Sequence, residues 1–128
     1  MKRILPLIII LFTLSCRNAP FLSDTHPDPA GIKTLSRSIS PDGKKLMTVK
    51  EICAEPNDTV NCHTQVFMDF GNTGSGVYAV AGINRGIKAK WKDNNTIVIE
   101  TKKKYSPTQK WPKVQSFNQI VLVEYIEQ

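Results

Sequence analysis

The chain has no apolar run long enough to cross a bilayer, no sustained helical stripe, and only two histidines in 128 residues. Each absence excludes something. The longest apolar stretch, Ile4 to Leu14, has eleven residues, whereas a helix spanning the hydrocarbon core needs about 20. A permanent transmembrane helix is therefore not expected. Without apolar residues recurring every three or four positions, no amphipathic helix can be placed, and helical folds lose their support. Of the histidines, His26 lies in a proline-rich stretch and His63 sits beside Cys62, so neither is an obvious general base. The glycine-rich "GNTGSGV" lacks the Lys-Ser/Thr ending of a phosphate loop, and its Ser75 lacks the spacing of a nucleophile elbow. It reads as a turn. Asp42, Glu51 and Asp69 are carboxylates that only the fold can gather. The expectation is a protein that is not an enzyme, with no cofactor and no resident metal.

What is present begins with "MKRILPLIIILFTLSC": Lys2 and Arg3, the apolar run, then Ser15 before a cysteine. This is the grammar of an export signal. The Ser15-Cys16 pair resembles the lipobox of bacterial lipoproteins, in which the cysteine is acylated and becomes the new N-terminus. Thr13 and Leu14 stand in the reverse of the favoured order. An ordinary signal-peptidase cut, with small residues at Thr13 and Ser15, also leaves Cys16 first. The expected division is a lipoprotein signal peptide over 1–15, a lipidated N-terminus and flexible tether over 16–33, and a β-domain over 34–128. An unlipidated secreted protein is the alternative.

Cysteine arithmetic agrees with this division. Of three cysteines, one is odd in an exported protein and asks for its own explanation; lipidation of Cys16 supplies it. Cys53 and Cys62 flank the turn-rich "AEPNDTVN" and are expected to form a disulfide across a hairpin mouth in an oxidising compartment. A zinc reading with His63 lacks a fourth donor. In the tether, "DTHPD" sets Asp24, His26 and Asp28 at alternate positions, but the surrounding prolines favour a solvated linker over a preorganised metal site.

From residue 34 on, the patterns have period two. "KLMTVKEI" alternates, and "TQVFMDF" puts Val66, Met68 and Phe70 on one side. "GVYAVAG" is short and bounded by glycines. In "IKAKWKDNNTIVIETK", a turn at Asp93, Asn94 and Asn95 sets Trp91 opposite Ile97, Ala89 opposite Ile99 and Ile87 opposite Thr101, with Lys88, Lys90 and Glu100 on the other face. "FNQIVLVEYIE" is apolar on both faces through Ile120 to Val123, which suggests a central strand. The expected fold is all-β: a small antiparallel sheet of five to seven strands, folded into a sandwich or partly open barrel.

Ser40-Pro41-Asp42-Gly43 has turn chemistry, since proline fixes φ, aspartate can bond nearby amides and glycine tolerates the exit. With the Trp91 hairpin behind it, this order resembles one blade of the WD40-like propellers, but closure takes about four to eight blades and the chain holds fewer than two. Ser40 to Lys44, Cys53, Thr64-Gln65-Val66, Gly76-Val77-Tyr78 and Trp91 to Ile99 together resemble a family of small exported bacterial lipoproteins of unknown function. Cys62 and the basic stretch from Lys102 to Lys113 depart from that pattern. The resemblance implies a fold and an address but no activity.

Charge carries the functional hint. The formal charge is +6, and the segment Arg85 to Lys113 holds nine basic and two acidic side chains, more than the whole excess. "TKKKYSPTQKWPK" interleaves lysines with Tyr105 and Trp111, and Pro107 and Pro112 suggest a loop. Lys88, Lys90, Lys102, Lys103, Lys104, Tyr105, Lys110, Trp111 and Lys113 are the candidate surface for an anionic partner: a lipid head group, an envelope polymer or an acidic protein face. Exposed strand lysines also serve solubility and suppress edge pairing. An exported address makes nucleic acid a poor partner. The functional expectation is an envelope lipoprotein, facing the outer membrane or periplasm and held there by its lipid, whose β-domain is a binding or structural module. The alternative is an inhibitor or immunity protein against a secreted or periplasmic enzyme.

Overall fold

A computed structural model describes residues 28–128. The expected signal peptide, Cys16, Asp24 and His26 lie outside these residues. Among the described residues there are nine strands and no helix: β1 (Ile32–Ile39), β2 (Leu46–Cys53), β3 (Cys62–Asp69), β4 (Gly74–Ala81), β5 (Lys88–Asp93), β6 (Thr96–Thr101), β7 (Gln109–Lys110), β8 (Lys113–Ser116) and β9 (Gln119–Glu127). They form one sheet in the order β1-β2-β3-β4-β7 and another in the order β5-β6-β9-β8. β2 lies against β5 and β4 against β8, so the sheets stack as a small sandwich.

Alternation explains the core. β3 buries Cys62, Thr64, Val66 and Met68 at every second position, and Met47 and Val49 on β2 join them. From the second sheet come Ile97, Ile99, Val114, Val121 and Val123. A register shift at Val66/Phe67 leaves Val77 unpaired between Gly76 and Tyr78, and both Val77 and Tyr78 are buried there. Two polar contacts tie the layers: the hydroxyls of Tyr78 and Thr101 lie 2.7 Å apart, and the Trp91 indole donates to the Ser38 carbonyl at 2.9 Å.

The β5–β6 hairpin has the register its alternation implies, with Trp91 opposite Ile97, Ala89 opposite Ile99 and Lys88 opposite Glu100. Several features differ from the sequence reading. The stretch Lys102 to Lys113, read as a loop, contains β7 and the start of β8; it crosses from the edge of one sheet to the edge of the other. The strands are nine rather than five to seven because these two short pieces add to seven longer ones. The second sheet is mixed, since β6 and β9 pair in parallel. β9 is central as expected, yet its outer face is open: Ile120, Leu122 and Ile126 are 44, 51 and 43% exposed. β1 begins at Ile32, two residues inside the expected tether, and "GNTGSGV" is a turn only to Thr73, after which it is strand.

The Ser-Pro-Asp-Gly turn joins β1 to β2 and holds a polar cluster. The Ser40 hydroxyl donates to Asp42 Oδ1 at 2.5 Å, the Lys44 amide donates to the same oxygen, and the Lys45 ammonium lies 3.3 Å from Asp42 Oδ2. Lys45 is only 3% exposed. Burial, the largest single influence, pushes the Asp42 carboxyl up, but the Ser40, Lys44 and Lys45 contacts together hold it below the usual carboxylate value.

A basic turn at the end where the chain begins

Strand directions define two ends. β1 and β5 start, and β2, β4, β6 and β9 finish, at one of them. Crossing hydrogen bonds hold that end of the two sheets together. The Glu51 carboxylate accepts the Asn84 amide at 2.7 Å; the Arg85 guanidinium donates to the Ala81 carbonyl at 2.8 Å; the Tyr105 hydroxyl donates to the Arg85 carbonyl at 2.8 Å. Here the described chain enters. Gly31, at φ 85°, accepts the Cys53 amide through its carbonyl at 2.7 Å, and an added Cβ would stand 2.8 Å from the Cys53 carbonyl oxygen. Only glycine fits that approach.

Cys53 and Cys62 face each other at the mouth of the β2–β3 hairpin and are joined as a disulfide. The enclosed loop is shaped by Asp58, whose carboxylate accepts the amides of Val60 and Asn61. Asp28 of the alternate-residue pattern accepts the Thr34 amide and hydroxyl, both at 2.7 Å, which lowers its pKa; it is a bracket for β1.

The lysines of the basic segment fall into separate groups. Lys102, Lys103 and Lys104 are exposed on a turn closing β6. That turn is fixed by the Lys103 amide bonding to the Gln128 carbonyl at 2.9 Å and the Tyr105 amide to the Lys102 carbonyl at 3.1 Å. None of the three ammonium groups has an acidic partner among the described residues. Tyr105 is half-buried, with the Arg85 guanidinium 5.4 Å from its ring centre. Lys88 and Lys90 stand on the outer face of β5 over a shallow cavity of about 270 Å³ shared with Val98 and Glu100. Lys110 forms an ion pair with Glu127 and lies 4.9 Å from the Tyr125 ring centre, so its charge is largely spoken for. Lys113 is on β8 opposite Leu122, toward the other end, and Trp111 is 44% exposed at the crossing. The structure therefore gathers the lysine triplet with Lys88 and Arg85 and separates Lys110 and Lys113 from them.

Arg85 was counted at the start of the basic segment but was not among the sequence candidates. The carboxylates considered for catalysis divide between the ends, with Asp42 and Asp69 at one and Glu51 at the other. Glu51 borders a cavity of about 330 Å³ with Gly31, Ile32, Lys33, Cys53, Pro56, Ile83 and Asn84, and one of its oxygens is taken by the Asn84 amide. Among the described residues no three His, Cys, Asp or Glu side chains group as metal ligands. A second feature escaped the sequence reading: Phe117, in the β8–β9 turn, is 78% exposed at φ 51°.

In class, the described residues form a disulfide-bonded, two-layer β-sandwich with a basic turn at the end where β1 starts. No family model matches the chain, and neither does any curated protein or solved structure.

Proposed function

We propose that this protein is an exported envelope lipoprotein, acylated at Cys16, whose β-domain is a non-catalytic module binding an anionic envelope component. The export grammar of residues 1–16 and the odd cysteine support the address. One observation carries the binding reading: three exposed lysines, without acidic partners among the described residues, sit on a turn pinned by backbone bonds to Gln128 and by the Tyr105 side chain. Solubility asks only that lysines be scattered; it does not ask that they be clustered on a fixed turn. Lys102→Gln combined with Lys103→Gln and Lys104→Gln should weaken salt-sensitive binding to isolated envelope fractions about 100-fold, taking about 1 kcal/mol for each lysine. Binding unchanged by the triple substitution would remove the turn from this role.

A second reading, an inhibitor or immunity protein acting on a secreted enzyme, draws on Phe117. An aromatic that is mostly exposed at a strained backbone position is an unusual thing for a turn to keep, and Ile120 and Leu122 extend apolar surface along the same hairpin. Its test is whether one enzyme co-purifies with the protein and is released by Phe117→Ala.

A further inference from the structure

The lysine turn and the point where the chain enters the domain occupy the same end of the sandwich, and this juxtaposition concerns what the anionic partner is. We infer that the partner is the head-group layer of the bilayer that carries the protein's own lipid, which the domain meets with its chain-entry end downward. This rests on the lipoprotein reading proposed above.

The argument begins with geometry. The described chain starts at Asp28, bonded to Thr34, and enters β1 at the disulfide end, so an anchor at Cys16 attaches the domain by that end. The chain from Cys16 to Gly31 spans at most about 50 Å even when fully extended, and the domain is thereby confined to a shell next to the membrane. Confinement raises the effective concentration of any surface group that can reach the head groups. The groups that reach first are those at the tethered end: Lys102, Lys103 and Lys104, with Lys88 on β5 and Arg85 behind Tyr105.

Charge selects the face within that end. Its acidic side chains are on the disulfide side or otherwise engaged: Asp58 is bonded to the amides of its own loop, Glu51 to Asn84 and Glu127 to Lys110. Glu55 is exposed in the disulfide loop, and Glu100 faces Lys88. The side formed by the ends of β6 and β9 presents the unpaired lysines. Attraction of basic side chains to anionic lipid falls off within a Debye length of about 10 Å at moderate salt, so a turn at the tethered end profits and lysines at the far end do not. A lipid chain and a basic patch on one face act as paired signals for one membrane. The Phe117 turn, at the opposite end, is then presented away from the bilayer.

Lysine footprinting of the intact, membrane-extracted protein tests this. The protein is reconstituted in vesicles of phosphatidylcholine alone or of equal phosphatidylcholine and phosphatidylglycerol, then labelled with an amine-reactive reagent and read by peptide mass. Lys102, Lys103 and Lys104 should be labelled about fivefold less on the anionic vesicles at low salt, and the protection should vanish at high salt. Lys44, Lys92 and Lys113 should label alike on both. Equal labelling of the triplet on both vesicles, or equal protection at both ends, would overturn the orientation. So would protection by soluble anionic cell-wall polymer without protection by anionic vesicles. The intact mass of the same sample reports the underlying reading separately: a chain without an acyl group at Cys16 overturns the lipoprotein assignment, and with it this proposal, whatever the footprint.

Discussion

Lys45 is the least expected charged group in the described chain, a lysine 3% exposed just before β2 that forms an ion pair with Asp42. An ammonium taken from water is tolerated when paired and costs several kcal/mol when its partner is removed. Asp42→Ala should therefore destabilise the fold by about 2–3 kcal/mol in urea unfolding, below the value for a fully buried pair because Asp42 is itself partly open to water. Adding Lys45→Met should recover much of the loss. The pH dependence has a definite sign. The folded Asp42 carboxyl titrates below the ordinary aspartate value of 3.8, so the stability it contributes is present above that value and is lost as pH falls through the depressed one. The wild-type advantage over Asp42→Ala should hold at neutral and mildly acidic pH and then shrink. An advantage that stays flat to strong acid would mean that the Ser40–Asp42–Lys45 cluster is not the source. The phrase Ser-Pro-Asp-Gly-Lys was legible as a turn because proline, aspartate and glycine have local preferences. That the second lysine is buried was not legible, since exposure depends on what folds over it.

Among the elements, the β2–β3 hairpin is held at its open end by the disulfide, with Cys53 directly opposite Cys62 in the ladder. Replacing both cysteines with alanine should cost about 2–3 kcal/mol, the chain-entropy value for so short a loop. Reduction of the wild type should give the same loss, read as a shift in urea midpoint. A loss well under 1 kcal/mol would mean that Asp58 and its amide bonds already order the loop in the unfolded chain's absence of a crosslink. This hairpin and β5–β6 were readable from the sequence because strand, turn and strand are contiguous and side chains alternate in phase across the turn. β6 and β9 pair in parallel across an intervening crossover, and period-two patterning carries no information about which distant strand lies alongside. β9 shows the limit most directly. Its apolar residues at 120–123 imply burial on both faces, but Val121 and Val123 are buried while Ile120 and Leu122 are exposed; among the described residues no third layer covers the outer face.

The described residues form one core made from two sheets, and the chain passes between them three times, after β4, after β6 and after β7. The lysine cluster was legible in the sequence as a local excess of charge; its place beside the chain's point of entry follows only from this topology. The same wiring implies that neither sheet can be lost alone. Tyr125 joins the layers, its ring 5.9 Å from that of Tyr78 and its hydroxyl donating to the Trp111 carbonyl at 2.7 Å. Burial first, and then the neighbouring Tyr78, raise the Tyr125 pKa from 10.0 to about 12. A phenol that resists ionisation more when folded than when unfolded contributes stability that is complete below pH 10.0 and is lost as pH rises toward about 12. Because the ring is only half-buried, the expected loss is about 1 kcal/mol. In mild urea, raising the pH through this window should unfold the wild type more readily, and Tyr125→Phe should flatten the response. Far-UV circular dichroism reports all the strands, whereas in a Trp111→Phe background the fluorescence of Trp91, bonded to Ser38 across the layers, reports their junction. The two signals should fall together at every pH, because fourteen buried side chains from both sheets form a single cluster. A fluorescence change that precedes the loss of strand signal would show the sheets separating first, and the sandwich would then be two weakly joined units instead of one.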